Sequence, residues 1–269
     1  MRRAYDTPLR AERSVADPEI LAIERSAFDA WPAAEVRALG GWRLRFNHGV
    51  TNRGSSVWPG PGPCGATLAE RVSAVEQFYA ERGSRACYQL SPAADPPDLD
   101  AALAARGYEV FSPVSVEVAE LGDVLARATP LEVDAACSDT LPEAWFDVSG
   151  RRGRFRDEAV SVYRALLERL HGRAGFALAK AGGQVAAVGL AVAAPPWVGV
   201  FSMLTLESHR RQRLAEAVLA AIARWAGERG AERMYLQVEI ENAPARSLYA
   251  RVGFVPRYEY HYRRQPGPV

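Results

Sequence analysis

Apolar side chains recur every three or four positions through Leu214, Ala217, Val218, Ala221, Ile222 and Trp225, the spacing that lays one apolar stripe along a helix. Gly230 supplies its stop. A strand-like run, Met203-Leu204-Thr205-Leu206, precedes this helix, and Arg233 to Ile240 follows it as another strand. Asn242 then serves as an N-cap, Pro244 suits a first turn, and Gly253 ends the next helix before Phe254. Upstream, the pattern predicts a strand starting at Leu131-Glu132-Val133 and helices near Leu141 to Val148 and from Asp157 to Leu170. Phe176 to Lys180 and Gln184 to Ala193 flank Gly182-Gly183 as a hairpin, and Pro195-Pro196 separates it from the strand that follows.

The first half of the chain repeats this order. Glu81-Arg82-Gly83 with Tyr88 echoes Glu228-Arg229-Gly230 with Tyr235 at one constant offset, Val75 and Phe78 fall where Ile222 and Trp225 fall, and Gly107-Tyr108 answers Gly253-Phe254 with a slip of one. Each half closes on a further strand, Val114 to Ala119 and Tyr258 to Tyr262, so the chain reads as a duplicated unit. Its expected divisions are residues 1–125 and 130–269, joined by a short linker from Ala126 to Pro130. The copies differ in chemistry. Tyr249 and Asn242 face Leu103 and Pro96 in the first half, and an arginine-rich turn is replaced by Pro61-Gly62-Pro63-Cys64-Gly65. Chemistry is therefore expected in the second half.

That turn, His209-Arg210-Arg211-Gln212-Arg213-Leu214-Ala215, leads into the long helix. A helix start leaves four backbone N–H groups unpaired and carries positive partial charge, so a helix beginning near Arg211 is a seat for a pyrophosphate. Full charges from Arg210, Arg211 and Arg213 add to it; the alternative is a solvated helix end. The order of strand, arginine turn, helix, strand and Asn242-to-Phe254 segment resembles the GNAT family of acyl-CoA-dependent N-acetyltransferases. The family's turn reads R/Q-x-x-G-x-G/A. Arg210 and Ala215 match it, while Arg213 occupies the first glycine, and so is expected to adopt an unstrained turn or bend away from the phosphates.

The resemblance implies an α/β (α+β) fold of two tandem GNAT-like domains, the first degenerate, each a mixed, mostly antiparallel sheet flanked by helices. It implies acetyl-CoA as co-substrate, contacted by Met203, Leu204, Thr205, Arg211, Gln212, Arg213, Leu214, Ala215, Glu216 and Asn242. It also implies that Tyr249 gives a proton to the departing thiolate, as a phenol near sulfur can. The position where some members carry a glutamate base is Gln237, an amide that accepts no proton at neutral pH. Strand alternation puts Gln237, Glu239 and Glu241 on one face, so Glu239 is the nearest carboxylate, with Glu207 and water as rivals.

Composition narrows the partners. The 269 residues carry a formal charge of +1, which provides no broad basic field for nucleic acid or anionic membrane. Cys64, Cys87 and Cys137 are odd in number and far apart, and His48, His171, His209 and His261 are scattered, so neither a disulfide framework nor a metal site is expected. No apolar run reaches spanning length. A cytoplasmic enzyme is expected, its oligomeric state open. In the family the acceptor enters near the first two helices of the catalytic half, where Arg151-Arg152-Gly153-Arg154-Phe155-Arg156 connects them. Arginine forks match carboxylates, so an amino acid such as glutamate is a candidate acceptor beside other small amines; a solvated loop is the plainer use. The run Gly40-Gly41-Trp42-Arg43-Leu44-Arg45 to Ser55-Ser56-Val57-Trp58-Pro59 is similar to a motif of bacterial tandem GNAT proteins, some of them described as N-acetylglutamate synthases. Its alternation fits a structural hairpin, with Arg53 or Trp58 in a cleft as the alternative. Protein or peptide acetylation, and a non-catalytic acyl-CoA sensor, are the competing functions.

Overall fold

The computed structural model describes residues 17–128, 133–155 and 157–267. They form two compact units, one of residues 17–114 with 258–267 and one of the described residues between 115 and 257. The repeat in the sequence divides the chain at 125–130, whereas compactness groups 115–120 with the second unit and 258–267 with the first.

The first unit begins with α1 (Pro18–Asp29), capped by the Asp17 side chain, and the hairpin β1 (Glu35–Leu39) to β2 (Trp42–Phe46). It continues through β3 (Val57–Pro59), α2 (Leu68–Ala80), β4 (Cys87–Leu90) and α3 (Leu99–Ala105). Strands run in the order β1-β2-β3-β4, and residues 261–264 of the chain's last strand lie antiparallel to 87–90. The hairpin turns on Gly40 at φ +58, and Gly41 lies so close to the 60–62 backbone that a Cβ would stand 2.4 Å from the Gly60 carbonyl. Trp42, Val75, Phe78 and Tyr88 fill the core. The Gly40–Pro59 motif is spent inside this unit. Arg45 donates to the Ser56 carbonyl at 3.1 Å and to Gln89 at 3.0 Å, and Trp58 Nε1 donates to the buried Glu24 at 3.1 Å.

β5 (Glu109–Glu120) leads into α4 (Leu121–Arg127). The expected linker thus begins as helix at Ala126 and Arg127, and its end, 129–130, lies outside the described residues. The second unit continues with β6 (Ala135–Ser138), α5 (Glu143–Phe146), a π-helical segment (Asp147–Arg154) and α6 (Glu158–Glu168). Then come β7 (Ala174–Ala181), β8 (Gln184–Ala194), β9 (Trp197–Thr205), α7 (Leu214–Gly227), β10 (Arg233–Glu239), α8 (Ala243–Arg251) and β11 (Val255–Arg264). Strands run β10-β9-β8-β7-β6, antiparallel except for β9 with β10. Gly182 and Gly183, at φ +57 and +79, make the expected hairpin turn. The α7 stripe is buried against this sheet with Met234, Leu236 and Val238.

Three sequence expectations are corrected. The first described strand of the second half is β6, which Val133 precedes rather than joins; Leu131 and Glu132 lie outside the described residues. The helix after the arginine turn begins at Leu214 rather than near Arg211. Helix α5 runs on into the π-helical segment through Arg151 and Arg152, where a connecting loop was expected, and the helical backbone breaks at Gly153 (φ −86, ψ −132).

Candidate active site

The parallel ladder between β9 and β10 runs from Trp197↔Arg233 to Val200↔Leu236 and ends there, although β9 continues to Thr205 and β10 to Glu239. Beyond Val200 the two strands diverge, and main-chain groups along the inner edge of β9 are left for something other than β10. On its other edge β9 stays paired with β8, but the register slips. Val188 faces Leu204 and Leu190 faces Phe201, so Ser202 and Met203 stand opposite Gly189 alone. This is a bulge, and Ser202 sits in it at φ +50. Gly189 is required there because a Cβ would meet Met203 Sδ at 2.6 Å and Val218 at 2.8 Å.

At the far end of β9 the chain turns through a short helical turn, Glu207–His209, and then Arg211 and Arg213 both adopt left-handed conformations, at φ +66 and +58. Arg213 therefore keeps the conformation a glycine would hold, contrary to the expectation of an unstrained or displaced turn. Each such residue costs on the order of 1 kcal/mol. Left-handed residues in a turn are what backbone anion-binding concavities are built from, and these two stand at the start of α7. Arg210, Arg211, Gln212 and Arg213 are exposed around it, Ala215 is half-buried and Leu214 is in the core. Arg213 Nε donates to Glu216 Oε2 at 2.7 Å, and Arg251 lies 3.5 Å from the other oxygen of that buried carboxylate. The Glu216 side chain thus braces the turn. Among the cofactor residues expected from sequence, it is the one whose charged group already has two partners.

Asn242 caps α8, its Oδ1 accepting from the Ala245 N–H at 3.2 Å, and its own N–H donates to the Glu239 carbonyl at 2.9 Å. That cap fixes how α8 leaves the diverging strand. Tyr249, 8% exposed, packs edge-on to Phe254 at 5.9 Å within the core shared with Leu214 and Val238. Gln237 and Glu239 lie on the β10 face opposite Met234, Leu236 and Val238, with Glu239 exposed at the strand end. Glu241 does not share that face, because the strand ends at Glu239 and a turn follows. Glu207 is exposed and 3.5 Å from Arg210.

Two of the four expected acceptor arginines are already engaged. Arg151 lies 3.6 Å from Glu143 and 3.8 Å from Asp147, and Arg152 Nε lies 2.8 Å from Asp147. Arg154 ends the π-helical segment, and Arg156 lies outside the described residues. Sequence reasoning missed a row of hydroxyls nearby. Ser149 Oγ is 3.0 Å from Tyr163 Oη, which is 2.8 Å from Ser202 Oγ on the bulge. The expected strand began at Met203, one residue past Ser202, and Tyr163 fell within the expected helix from Asp157 to Leu170 without a role of its own.

Thiol chemistry has little foothold. Burial pushes the Cys87 thiol up to about 11 and the Cys137 thiol up to about 12, which leaves almost no thiolate at neutral pH. Among the described residues no group of three or more His, Cys, Asp or Glu could hold a metal ion, and no helix is long and apolar enough to cross a membrane.

Residues 17–263 match the family described as "Probable histone acetyltransferase Rv0428c C-terminal". The chain is 32% identical over 247 residues to the "Uncharacterized N-acetyltransferase YobR" of Bacillus subtilis, covering 91% of this chain and 98% of that protein. Its fold is similar to a GCN5-related N-acetyltransferase from Kribbella flavida, with TM-score 0.69 and 21% identity over 96% and 98% of the two chains. It is also similar to a tandem GNAT protein from the clavulanic acid biosynthesis pathway, with TM-score 0.60 and 17% identity over 75% and 70%.

Proposed function

Because the chain belongs to the GNAT family of N-acetyltransferases, we propose that its second unit takes acetyl-CoA into the opening between β9 and β10 and transfers the acetyl group directly to the primary amine of a small molecule. The observation that carries this reading is the divergence of β9 and β10 beyond Val200 and Leu236, with the arginine turn at the end of the longer strand. The residues fit the co-substrate. Backbone groups from Met203 to Thr205 border the opening, the left-handed turn through Arg211 and Arg213 offers N–H groups to the pyrophosphate, and the exposed arginines add charge.

The chemistry follows from these positions. An amine reaches the thioester as a nucleophile only after losing a proton, and Glu239, at the end of the diverging strand, takes it directly or through water. The amine nitrogen bonds to the acetyl carbon and the carbon–sulfur bond breaks. Tyr249 then protonates the departing thiolate, and the proton left on the nitrogen passes back to the tyrosinate directly or through water, so the acetamide and free CoA leave as neutral groups at the reacting atoms. Backbone N–H groups of the bulged β9 edge stabilise the oxyanion that forms between those steps. Glu207 is the weaker base candidate, since it lies in the exposed turn after β9.

An acidic acceptor such as glutamate would bind through Arg151 and Arg152, and its carboxylate would have to displace Asp147 and Glu143. Protein amines are a second reading, favoured by the histone acetyltransferase named in the family description. The test is CoA release by the purified chain with acetyl-CoA, across amino acids, other small amines and N-terminal or lysine peptides. Release with small amines alone supports the proposal. Release with peptides alone replaces it by the second reading. Tight acetyl-CoA binding with no acceptor-dependent release would make the chain an acyl-CoA sensor.

A further inference from the structure

Tyr163 is buried near the opening, 1% exposed, with its ring 4.3 Å from that of Phe155 and stacked 6.2 Å from that of Phe146. Its Oη lies between two serine hydroxyls, Ser149 on the π-helical segment at 3.0 Å and Ser202 on β9 at 2.8 Å. Ser202 is the residue at φ +50 in the bulge, two positions past the last β9–β10 pair at Val200. A side chain rarely adopts that conformation unless its surroundings fix it. Gly189 makes room for the bulge from the β8 side, where Met203 Sδ would crowd any Cβ.

We propose that Tyr163, held by Ser149, is a positioning residue that clamps the β9 bulge through the Ser202 hydroxyl and so sets the main chain of Ser202 to Leu204 for acetyl transfer. The proposal rests on the reading of this opening as the acetyl-transfer site. Tyr163 does not touch the reacting atoms. Its hydroxyl acts on the backbone conformation of one residue, and that conformation re-aims the strand edge on which the thioester would lie. Serine and tyrosine hydroxyls are weak bases, so the row works by position.

The conformational argument gives a specific test. Tyr163→Phe removes the clamp and leaves the ring; Ser202→Ala removes it and keeps a Cβ in the strained conformation; Ser202→Gly removes it but accepts φ +50 at no steric cost. With an acceptor that supports CoA release, Tyr163→Phe and Ser202→Ala are each expected to lower kcat by about 10-fold to 100-fold, as small misplacements of reacting groups do, with KM for acetyl-CoA within about 2-fold. Ser202→Gly should lose less, and the Tyr163→Phe/Ser202→Gly double variant should match Ser202→Gly alone. Amide hydrogen exchange over 199–206 supplies a readout independent of activity. Exchange should rise in Tyr163→Phe and return toward normal in the double variant.

Ser202→Gly as slow as Ser202→Ala would overturn the clamp, because the hydroxyl would then matter for itself. So would unchanged turnover and exchange in Tyr163→Phe. If the wild-type chain releases CoA with no acceptor, the acetyl-transfer reading fails by itself, and the exchange series still decides whether Tyr163 holds the bulge.

Discussion

The two units contain the same joint in two states. In the second, β9 runs on past its last pair with β10, and the residues after β10 bond locally, Asn242 N–H to the Glu239 carbonyl at 2.9 Å. In the first, β3 and β4 share the single pair Val57↔Tyr88, and the chain after β4 bonds back across the joint. Asp95 N–H donates to the Pro59 carbonyl at 2.9 Å, and Trp42 Nε1 donates to the Asp95 carbonyl at 2.6 Å. The Arg71 guanidinium stacks 3.7 Å above Trp42. One joint stays open where an acyl carrier would enter, and its counterpart is closed by main chain and an indole. A duplicated fold can thus keep its core while one copy turns the shared opening into more core.

The largest effect should appear at the position where the copies differ in chemistry. Tyr249→Phe keeps the ring against Phe254 and removes only the hydroxyl, so turnover should fall by about two to four orders of magnitude with acetyl-CoA affinity nearly kept. Stopped-flow CoA release and calorimetry separate the two quantities, and near-normal turnover would remove Tyr249 from the reaction. Leu103, its counterpart, is fully buried in the first core. Leu103→Ala should cost about 2–5 kcal/mol in urea unfolding and leave the turnover of the folded fraction intact. Calorimetry should also find a single acetyl-CoA per chain. A second equivalent would mean that the closed joint opens.

A smaller contrast lies between a helix and a strand within each unit. Asp100 on α3 faces Arg263 at 2.5 Å and His261 at 2.9 Å, while Arg246 on α8 faces Glu117 at 3.1 Å, the same kind of pair with its charges exchanged. Burial alone would raise the Asp100 carboxyl, but the contacts with His261 and Arg263 outweigh it and hold the group well below the usual carboxylate range. A depressed folded pKa stabilises at any pH above the unfolded value, near 4, and that stability is lost as pH falls below it. Asp100→Asn should therefore cost about 1–2 kcal/mol at pH 7, and the gap from wild type should narrow on acidification below about pH 4. A gap independent of pH would deny the carboxylate its role.

Much of this was legible in the chain. The α7 stripe, the Gly182-Gly183 hairpin and the Asn242-to-Phe254 segment are local patterns whose partners lie within a few residues, and each appears where periodicity and capping put it. The echo of Glu81-Arg82-Gly83 and Glu228-Arg229-Gly230 divides the chain at 125–130, and nothing local in it marks the different boundaries of the compact units. The bulge was hidden because it is a mismatch between β8 and β9, and a register slip leaves no mark on one strand's alternation. The closing of the first joint was hidden too, since the Trp42–Asp95 bond spans 53 positions. The engagement of Arg151 and Arg152 could have been suspected, because Asp147 stands one helical turn upstream of Arg151.

The smallest expected effect concerns the turn itself. The first unit enters its helix through Pro61-Gly62-Pro63-Cys64-Gly65 and the Thr67–Glu70 capping box, which satisfies the helix start from within. The second enters through Arg213 at φ +58, without a side-chain cap, and so keeps its first N–H groups available at the cost of a strained residue. Arg213→Gly and Arg213→Ala both delete the guanidinium and its contact with Glu216, but only glycine relieves the backbone. Glycine should therefore be the more stable variant by about 1 kcal/mol, measured as a difference in urea midpoint at constant m. Both should weaken acetyl-CoA binding several-fold at low salt, with less loss at high salt where the lost charge is screened. Equal stability of the two variants would mean that the turn relaxes freely. The difference between the units would then lie in charge alone and not in a main-chain seat that the second unit holds open.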